Sequence, residues 1–242
     1  MIPKLLHYCW FGGKPLNKLG RECLESWRRF FPDYEIIEWN ENNFDINSCK
    51  YAKQAYEAQK WAFVSDYARF KILYEYGGVY FDTDVEVIKS FDDILEKGNF
   101  MGCEKCSLVA PGLGLAFEPR AEIVREIIED YEKDEFLNPD GTCDLTTIVD
   151  RTTYVLKKYG LIESKNIQEI AGVKIYPPEY FCPIDMETNK LCITSNTHSI
   201  HKFASSWESK TSIVRGKIYR FVNRFFGKNA AMLLKNLFGK KH

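Results

Sequence analysis

Apolar positions recur along this chain with two different periods. Leu16, Leu19, Cys23, Leu24, Trp27, Phe30 and Phe31 follow the 3.6-residue spacing, and Pro32 closes the run, which predicts a helix with this stripe in the core. Leu5 to Phe11, broken by Gly12-Gly13 and then Pro15, and Tyr34 to Trp39, followed by the polar Asn40-Glu41-Asn42-Asn43, read as strands on either side of it. Tyr51 to Lys60 predicts another helix. Trp61, Ala62, Ser65, Ala68, Ile72 and Tyr76 lie at helical spacing with no internal Pro or Gly. Gly77-Gly78 ends that helix, since glycine takes the left-handed conformation past a helix end at little steric cost. Val79 to Phe81 is β-branched and aromatic and reads as a buried strand. The order β-α-β-α-α-β predicts an α/β sheet with a ligand site at the carboxyl edge of its strands.

Farther along, Val85 to Ile88 alternates like a strand, Phe91 to Leu95 predicts a short helical segment and Phe100 to Cys103 a further strand. The helix from Ala121 to Tyr131 turns Ile123, Val124, Ile127, Ile128 and Tyr131 inward. Residues 134–144 are polar and turn-rich. Between Ile175 and Pro183 three prolines exclude a central strand. From Ile213, the residues Val214, Ile218, Phe221 and Phe225 form one helical stripe, with Lys217, Arg220, Arg224 and Lys228 beside it and Met232, Leu233, Leu234, Leu237 and Phe238 beyond.

Composition adds two constraints. At 242 residues, 45% hydrophobic and 15% aromatic, the chain can bury a good core, expected as one domain over residues 1–209. The net charge of -1 hides an asymmetry: no acidic residue follows Glu208, so nine basic residues lie beyond it and residues 1–209 carry 24 basic against 34 acidic groups. Residues 210–242 therefore read as a basic amphipathic helical tail. Such a segment suits an anionic membrane surface, each basic group adding ~1 kcal/mol; packing on the body or binding nucleic acid are the competing accounts. No stretch reaches the ~18 apolar residues of a spanning helix, and Met1-Ile2-Pro3-Lys4 leads into a strand-like run with no leader-like apolar region. Eight scattered cysteines suggest reduced, cytosolic thiols, and the lone Cys103-Glu104-Lys105-Cys106 lacks the second pair a zinc site needs.

The candidate chemistry sits where the third helix meets the strand. Strand alternation would point Asp82 and Asp84 to one side and Thr83 to the other. Two carboxylates sharing one small region repel unless a cation sits between them, and a hard divalent ion, Mg2+ or Mn2+, suits oxygen ligands. Asp66 and Arg69, three apart on the helix, are neighbours that could be no more than an intrahelical ion pair. Trp10, at the end of the first strand, could stack a nucleotide base or belong to the core. His7, three residues deeper, reads as a satisfied core histidine. If residues 197–203 are extended, His198 and His201 face opposite ways, so only one can be a ligand.

Ser65-Asp66-Tyr67-Ala68-Arg69 followed by Tyr76-Gly77-Gly78-Val79-Tyr80-Phe81-Asp82-Thr83-Asp84 resembles the D-x-D sugar transferases of glycosyltransferase family thirty-two, and looks like the catalytic core of the large bacterial glucosylating toxins. The resemblance spans roughly residues 1–207. It implies the metal-dependent, Rossmann-like GT-A fold, Mn2+ or Mg2+ as cofactor, and a nucleotide-sugar donor whose anomeric configuration is retained. It implies catalytic roles for Asp66, Arg69 and Asp84, a metal held by Asp82, Asp84 and His201, and donor contacts from Trp10, Phe11 and Gly12 of the strand-end Trp-x-Gly-Gly and from Asp66, Arg69, Gly78, Asp82 and Asp84. Ser206 and Trp207 match the family's closing segment over the diphosphate, although a packing Trp is the alternative. Relatives often carry His-His where this chain has His201-Lys202; Lys202 could instead meet a phosphate oxygen. Gly112 and Gly114 lie in Pro111 to Phe117, read either as a close approach beneath the sugar or as an ordinary tight turn, and Asp144 and Asp150 as acceptor contacts, helix caps or surface charges.

The expectation is thus a hexosyltransferase acting from a nucleotide sugar, a UDP-hexose foremost, on a glycan or lipid-linked acceptor in surface polysaccharide synthesis. It would work in the cytoplasm, peripheral on the inner face of the membrane through residues 213–242, without a nucleic-acid partner. A nucleotidyl or phosphoryl transferase would also use clustered carboxylates and Mg2+, and a non-catalytic membrane-associated glycan-binding protein would keep the aromatics while tolerating loss of both carboxylates.

Overall fold

A computed structural model describes residues 1–184 and 190–203 of the chain; the expectations for residues 210–242, and for Ser206 and Trp207, lie outside the described residues. Strand β1 (Leu5–Cys9), helix α1 (Lys18–Phe30), β2 (Glu35–Trp39), α2 (Lys50–Glu57), α3 (Trp61–Tyr76) and β3 (Gly78–Tyr80) follow in the expected order. Then come β4 (Val85–Val87), α4 (Asp92–Leu95), β5 (Phe100–Lys105), β6 (Leu108–Val109), β7 (Leu115–Phe117), α5 (Glu122–Lys133), α6 (Ile148–Lys158), β8 (Gln168–Ile170), β9 (Val173–Tyr176) and β10 (Ser199–His201).

The main sheet runs β2-β1-β3-β7-β5-β9-β8, with β6 paired to β5. Pairing is parallel for β2, β1 and β3 and for β5 with β9, and antiparallel where β7 lies between β3 and β5 and where β8 meets β9. β4 and β10 form a separate antiparallel ribbon. The α/β architecture read from the sequence is the one the chain adopts, with a mixed sheet at its centre.

Alternation splits the core into two layers. Leu6, Val79, Ala116 and Phe100 face one way, toward Cys23 and Trp27 of α1 and Ile94 of α4. Tyr80, Leu115 and Met101 face the other way, toward Tyr51 of α2, Tyr67, Phe70 and Leu73 of α3, and Ile127 and Tyr131 of α5. A strand buried on both faces has no polar alternation, which is why these runs are apolar throughout. Each such large side chain contributes about 1.5–3 kcal/mol by leaving water. Among the described residues, no helix is long and apolar enough to cross a membrane.

Local chemistry fixes the helix ends. Asn17 caps α1 by accepting from the Gly20 amide at 2.8 Å, and Gly77, at φ +64°, ends α3 while its amide donates to the Leu73 carbonyl. Gly78 has φ +103°, and a Cβ there would lie 2.6 Å from the Leu5 carbonyl oxygen, so only glycine lets β3 pair with β1 at this point. His7 is buried in β1, its Nδ1 accepting from the Trp39 indole at 3.1 Å and its Nε2 donating to the Gly77 carbonyl at 2.9 Å. It is the satisfied core histidine expected.

One expectation is corrected and one helix is added. The prolines after Ile175 do not exclude a strand from the sheet interior: β9 lies between β5 and β8 and stops at Tyr176, just before Pro177, so no ladder amide is lost. Helix α6 has no forerunner in the periodicity. Its signal was the cap, in which Thr147 accepts from the Asp150 amide at 3.1 Å.

Candidate functional site

The two motif aspartates do not extend a strand. β3 ends at Tyr80, and the chain turns through Asp82-Thr83-Asp84, the Val85 amide donating to the Asp82 carbonyl at 3.0 Å. This corrects the pleat argument: the turn, rather than alternation, draws the two carboxylates together. The turn leads into β4, whose antiparallel pairing with β10 sets His201 opposite Val85. The Lys202 amide donates to the Asp84 carbonyl at 2.9 Å, and His201 Nε2 stands 3.0 Å from Asp84 Oδ1.

Asp82, Asp84 and His201 therefore each offer a ligand atom within 4.8 Å of the other two, and among the described residues they form the one such cluster. Two carboxylate oxygens and an imidazole nitrogen suit a hard divalent cation and leave positions for phosphate oxygens. The field agrees with that reading. Burial opposes charge on His201, yet Asp84, Asp82 and Glu104 together hold its pKa above the ordinary histidine value. A site that draws a proton this way also draws a cation. His198 does not join it; its ring lies between the Asn196 carbonyl at 2.7 Å and Asp93 at 2.9 Å, stacked on Tyr180.

Arg69 ties the helix to the turn. Its Nε donates to the Ser65 carbonyl at 3.0 Å, its Nη2 to Asp66 Oδ1 at 2.8 Å, and its Nη1 stands 3.2 Å from Asp82 Oδ1. The guanidinium lies over the Tyr80 ring, 4.9 Å from the centroid, and the Tyr80 hydroxyl donates to Asp82 at 3.1 Å. Arg69 and Asp66 are buried, and burial drives the Asp66 pKa up to about 7 against the opposing pull of Arg69. Arg69 itself is held in its charged form: burial opposes the charge, and Asp82, Tyr80 and Asp66 outweigh it. The bland reading of Asp66 and Arg69 as a helical pair is geometrically true and incomplete, because the same guanidinium reaches Asp82.

Trp10, Phe11 and Gly12 follow the carboxyl end of β1. Trp10 is half-buried, its indole donating to the Lys14 carbonyl at 2.6 Å. Phe11 is buried edge-on against Phe44, so its side chain serves the core, and Gly12 lies against the Trp61 indole with its amide donating to Glu41. Gly78 is engaged in strand pairing, as described. Lys202 pairs with Glu86 at 2.5 Å, and Asp144 with Arg151 at 2.6 Å.

Two neighbours, Tyr80 and Glu104, have no role in the sequence reading, and a third, Gly112, lies in the segment read as a close approach or a tight turn. Tyr80, the last residue of β3, meets Asp82 across the start of the turn, its hydroxyl donating to that carboxylate. Gly112 lies against the site: its carbonyl accepts from the Asp82 amide at 3.2 Å, and a Cβ there would fall 2.1 Å from Asp82 Oδ2. That is a close approach, made to a carboxylate. Glu104, on β5, is half-buried; burial raises its pKa, and its charge acts on His201.

Residues 18–101 match the family model described as the glycosyltransferase sugar-binding region containing the DXD motif. The chain is 24% identical over 222 residues to an uncharacterized glycosyltransferase of Acanthamoeba polyphaga mimivirus, covering 86% of this chain and 84% of that one. It is 30% identical over 140 residues to the lactosylceramide 4-alpha-galactosyltransferase of Mus musculus, covering 57% of this chain and 37% of that one, so it spans little more than a third of the mouse enzyme. A solved glycosyltransferase involved in glycosylation of the major capsid of PBCV-1 superposes with a TM-score of 0.47 at 13% identity, over 85% of this chain and 95% of that one.

Proposed function

We propose that this chain, a glycosyltransferase with a DXD sugar-binding region, moves a hexosyl group from a nucleoside-diphosphate sugar, a UDP-hexose foremost, to a hydroxyl of a glycan or lipid-linked acceptor. The observation that carries this reading is the convergence of Asp82, Asp84 and His201 on one small volume beside the buried Asp66–Arg69 pair. Asp82, Asp84 and His201 would hold a divalent cation, which when bound supplies Lewis-acid stabilisation of the departing diphosphate. In the reaction the bond between the anomeric carbon and the diphosphate oxygen breaks, its electron pair leaving with the diphosphate. The acceptor oxygen bonds to that carbon and its proton passes to the departing diphosphate oxygen, and retention of configuration is what the family resemblance implies.

The protein's own groups set geometry and field. Asp66 uses Oδ1 on Arg69, which leaves its second oxygen to accept from hydroxyls of the donor sugar. Arg69, braced by Ser65, Asp66, Asp82 and the Tyr80 ring, keeps that carboxylate and the metal-side carboxylate in fixed relation. Preorganised charge of this kind needs no rearrangement as the transition state forms. Trp10, at the carboxyl end of β1, is placed for a base to stack on its half-buried indole. A lipid-linked acceptor is supported by the mouse relative, whose name specifies lactosylceramide, and by the basic, apolar sequence from residue 213, which suits the cytoplasmic face of a membrane in surface polysaccharide synthesis.

The test is release of nucleoside diphosphate without acceptor, across UDP-glucose, UDP-galactose, their N-acetyl forms and GDP-mannose, with Mn2+ and with chelator. Metal-dependent release from one donor, abolished in Asp84→Ala while the fold persists, is expected. Full activity of Asp84→Ala, or a donor set that neither binds nor reacts with Mn2+ present, overturns the reading.

A further inference from the structure

Tyr67, next to Asp66 on α3, meets Tyr131 with ring centroids 6.1 Å apart, and Tyr131 belongs to a second buried polar group that the reaction as described does not use. Tyr51 of α2 and Tyr131 of α5 are fully buried and meet edge to face with centroids 5.0 Å apart. The Arg151 guanidinium of α6 sits over both rings, 5.3 and 5.0 Å from their centroids. Its Nη atoms are consumed: Asp130 at 3.1 Å, Asp134 at 2.6 Å and Asp144 at 2.6 Å take them. Three donors remain, the two tyrosine hydroxyls and Arg151 Nε, all buried and without a hydrogen-bond partner among the described residues.

Leaving one such donor unsatisfied costs about 1–3 kcal/mol, and three in one neighbourhood is more than a native core leaves unexplained. Their surroundings supply one common acceptor. Asp66 is the charge that acts most strongly on both hydroxyls, and Asp66 in turn feels Arg151. Within the described residues, Arg69 takes Asp66 Oδ1 and nothing else hydrogen-bonds the carboxylate.

We propose that Tyr51, Tyr131 and Arg151 position Asp66 through a short chain of ordered waters, each accepting from no more than two of these donors, the chain ending in a water that donates to the Asp66 carboxylate. A buried water makes about two to four hydrogen bonds, which these donors and the Asp66 carboxylate supply. Asp66 is then clamped from two sides, by Arg69 toward the DXD turn and by the tyrosine pair from the helical layer. Its remaining lone pairs aim at the hydroxyls of the donor sugar, so Tyr131 and Tyr51 are positioning residues for sugar recognition. This inference rests on the donor-binding reading of Asp66.

The experiment uses the full chain and the conservative variants Tyr51→Phe, Tyr131→Phe and their combination, which keep the rings and remove only the hydroxyls. Binding of UDP and of the nucleotide sugar that the wild type turns over is measured by calorimetry with Mn2+, alongside KM and kcat. In the double variant, donor KM rises about tenfold while UDP affinity stays within twofold, because UDP lacks the sugar that Asp66 reads. Adding Asp66→Asn to the double variant costs much less than it costs the wild type, since the residues act as a unit. Donor KM and kcat within twofold of wild type in the double variant overturn the proposal. So does a parallel loss of UDP affinity, which would mark a general disturbance of the site. A wild type that binds UDP but no nucleotide sugar overturns the reading of Asp66 itself, and this inference with it.

Discussion

Two buried arginines organise this molecule, and they differ in what they leave open. Arg69 and Arg151 both lie over tyrosine rings and both hold aspartates from more than one element. Arg69 joins a helix to a turn whose carboxylates meet His201, and Asp82 remains partly exposed there. Arg151 joins α5, the segment after it and α6, and its charge is spent inside the protein on three carboxylates. The same chemistry thus serves access in one region and closure in the other. A buried charge is costly unless fully paired, so each arginine dictates the placement of every carboxylate around it.

That contrast can be broken most directly at Arg151. Arg151→Met leaves three aspartates facing one another, and stability is expected to fall by about 3–5 kcal/mol, or about 10 °C in Tm for a chain of this size. Turnover per folded molecule should change only through donor KM. Thermal unfolding within ~2 °C of wild type would remove Arg151 from its structural role.

Arg69→Met should instead show its main effect in the chemistry. Nucleoside-diphosphate release per folded molecule is expected to fall about 10³-fold, the scale of losing one preorganised electrostatic group. Release within tenfold of wild type would erase the distinction between the two arginines.

His7 sharpens the rule that a buried cation needs a carboxylate, because it has none. Burial pulls its pKa down to about 4, against the Gly77 carbonyl that favours a proton on Nε2. Since the unfolded chain binds the proton near 6.5 and the folded chain only near 4, the stabilisation is present above pH 6.5 and lost as pH falls between these values. The loss from this group is roughly 3 kcal/mol at pH 4. In His7→Gln, whose amide can make both hydrogen bonds, the slope of stability between pH 4 and 6.5 should flatten; an unchanged slope would assign the acid sensitivity elsewhere.

A smaller effect belongs to Gly112, where the Arg69 region is tightest. Gly112→Ala places a methyl against Asp82 Oδ2 and 3.4 Å from Arg69 Nη1. The Mn2+ concentration for half-maximal donor hydrolysis should rise about tenfold, equal to ~1.4 kcal/mol. An unaltered Mn2+ titration would show that Asp82 yields without consequence.

How much of this was legible follows the same division. Asp66, Arg69 and the two motif aspartates lie within one continuous helix-turn-strand passage, so helix spacing and the glycine stop revealed their proximity. Tyr80 meets Asp82 through the turn that follows β3, which the strand period does not show. Arg151 could not, because Asp130, Asp134 and Tyr131 come from α5, Tyr51 from α2 and Asp144 from the connecting segment, and no local period relates them. Gly112 was noticed as a turn glycine, but its closeness to Asp82 depends on how the segment before β7 crosses the end of β3.

By itself the sequence determined the element order through β3, the burial of the central strands and the glycine stop of α3, because helix and strand periods and glycine conformations are set within a few residues. Tertiary structure alone decided that His201 meets Asp84, since that contact is made by β10 pairing with β4 from the far end of the described chain. It also set His201, the histidine that the family resemblance implied, facing the carboxylates and His198 beneath Tyr180, and decided that a turn rather than a pleat brings Asp82 and Asp84 together. Long-range pairing fixes such contacts through burial and hydrogen bonds summed over the whole sheet, a sum to which no local stretch of sequence has access.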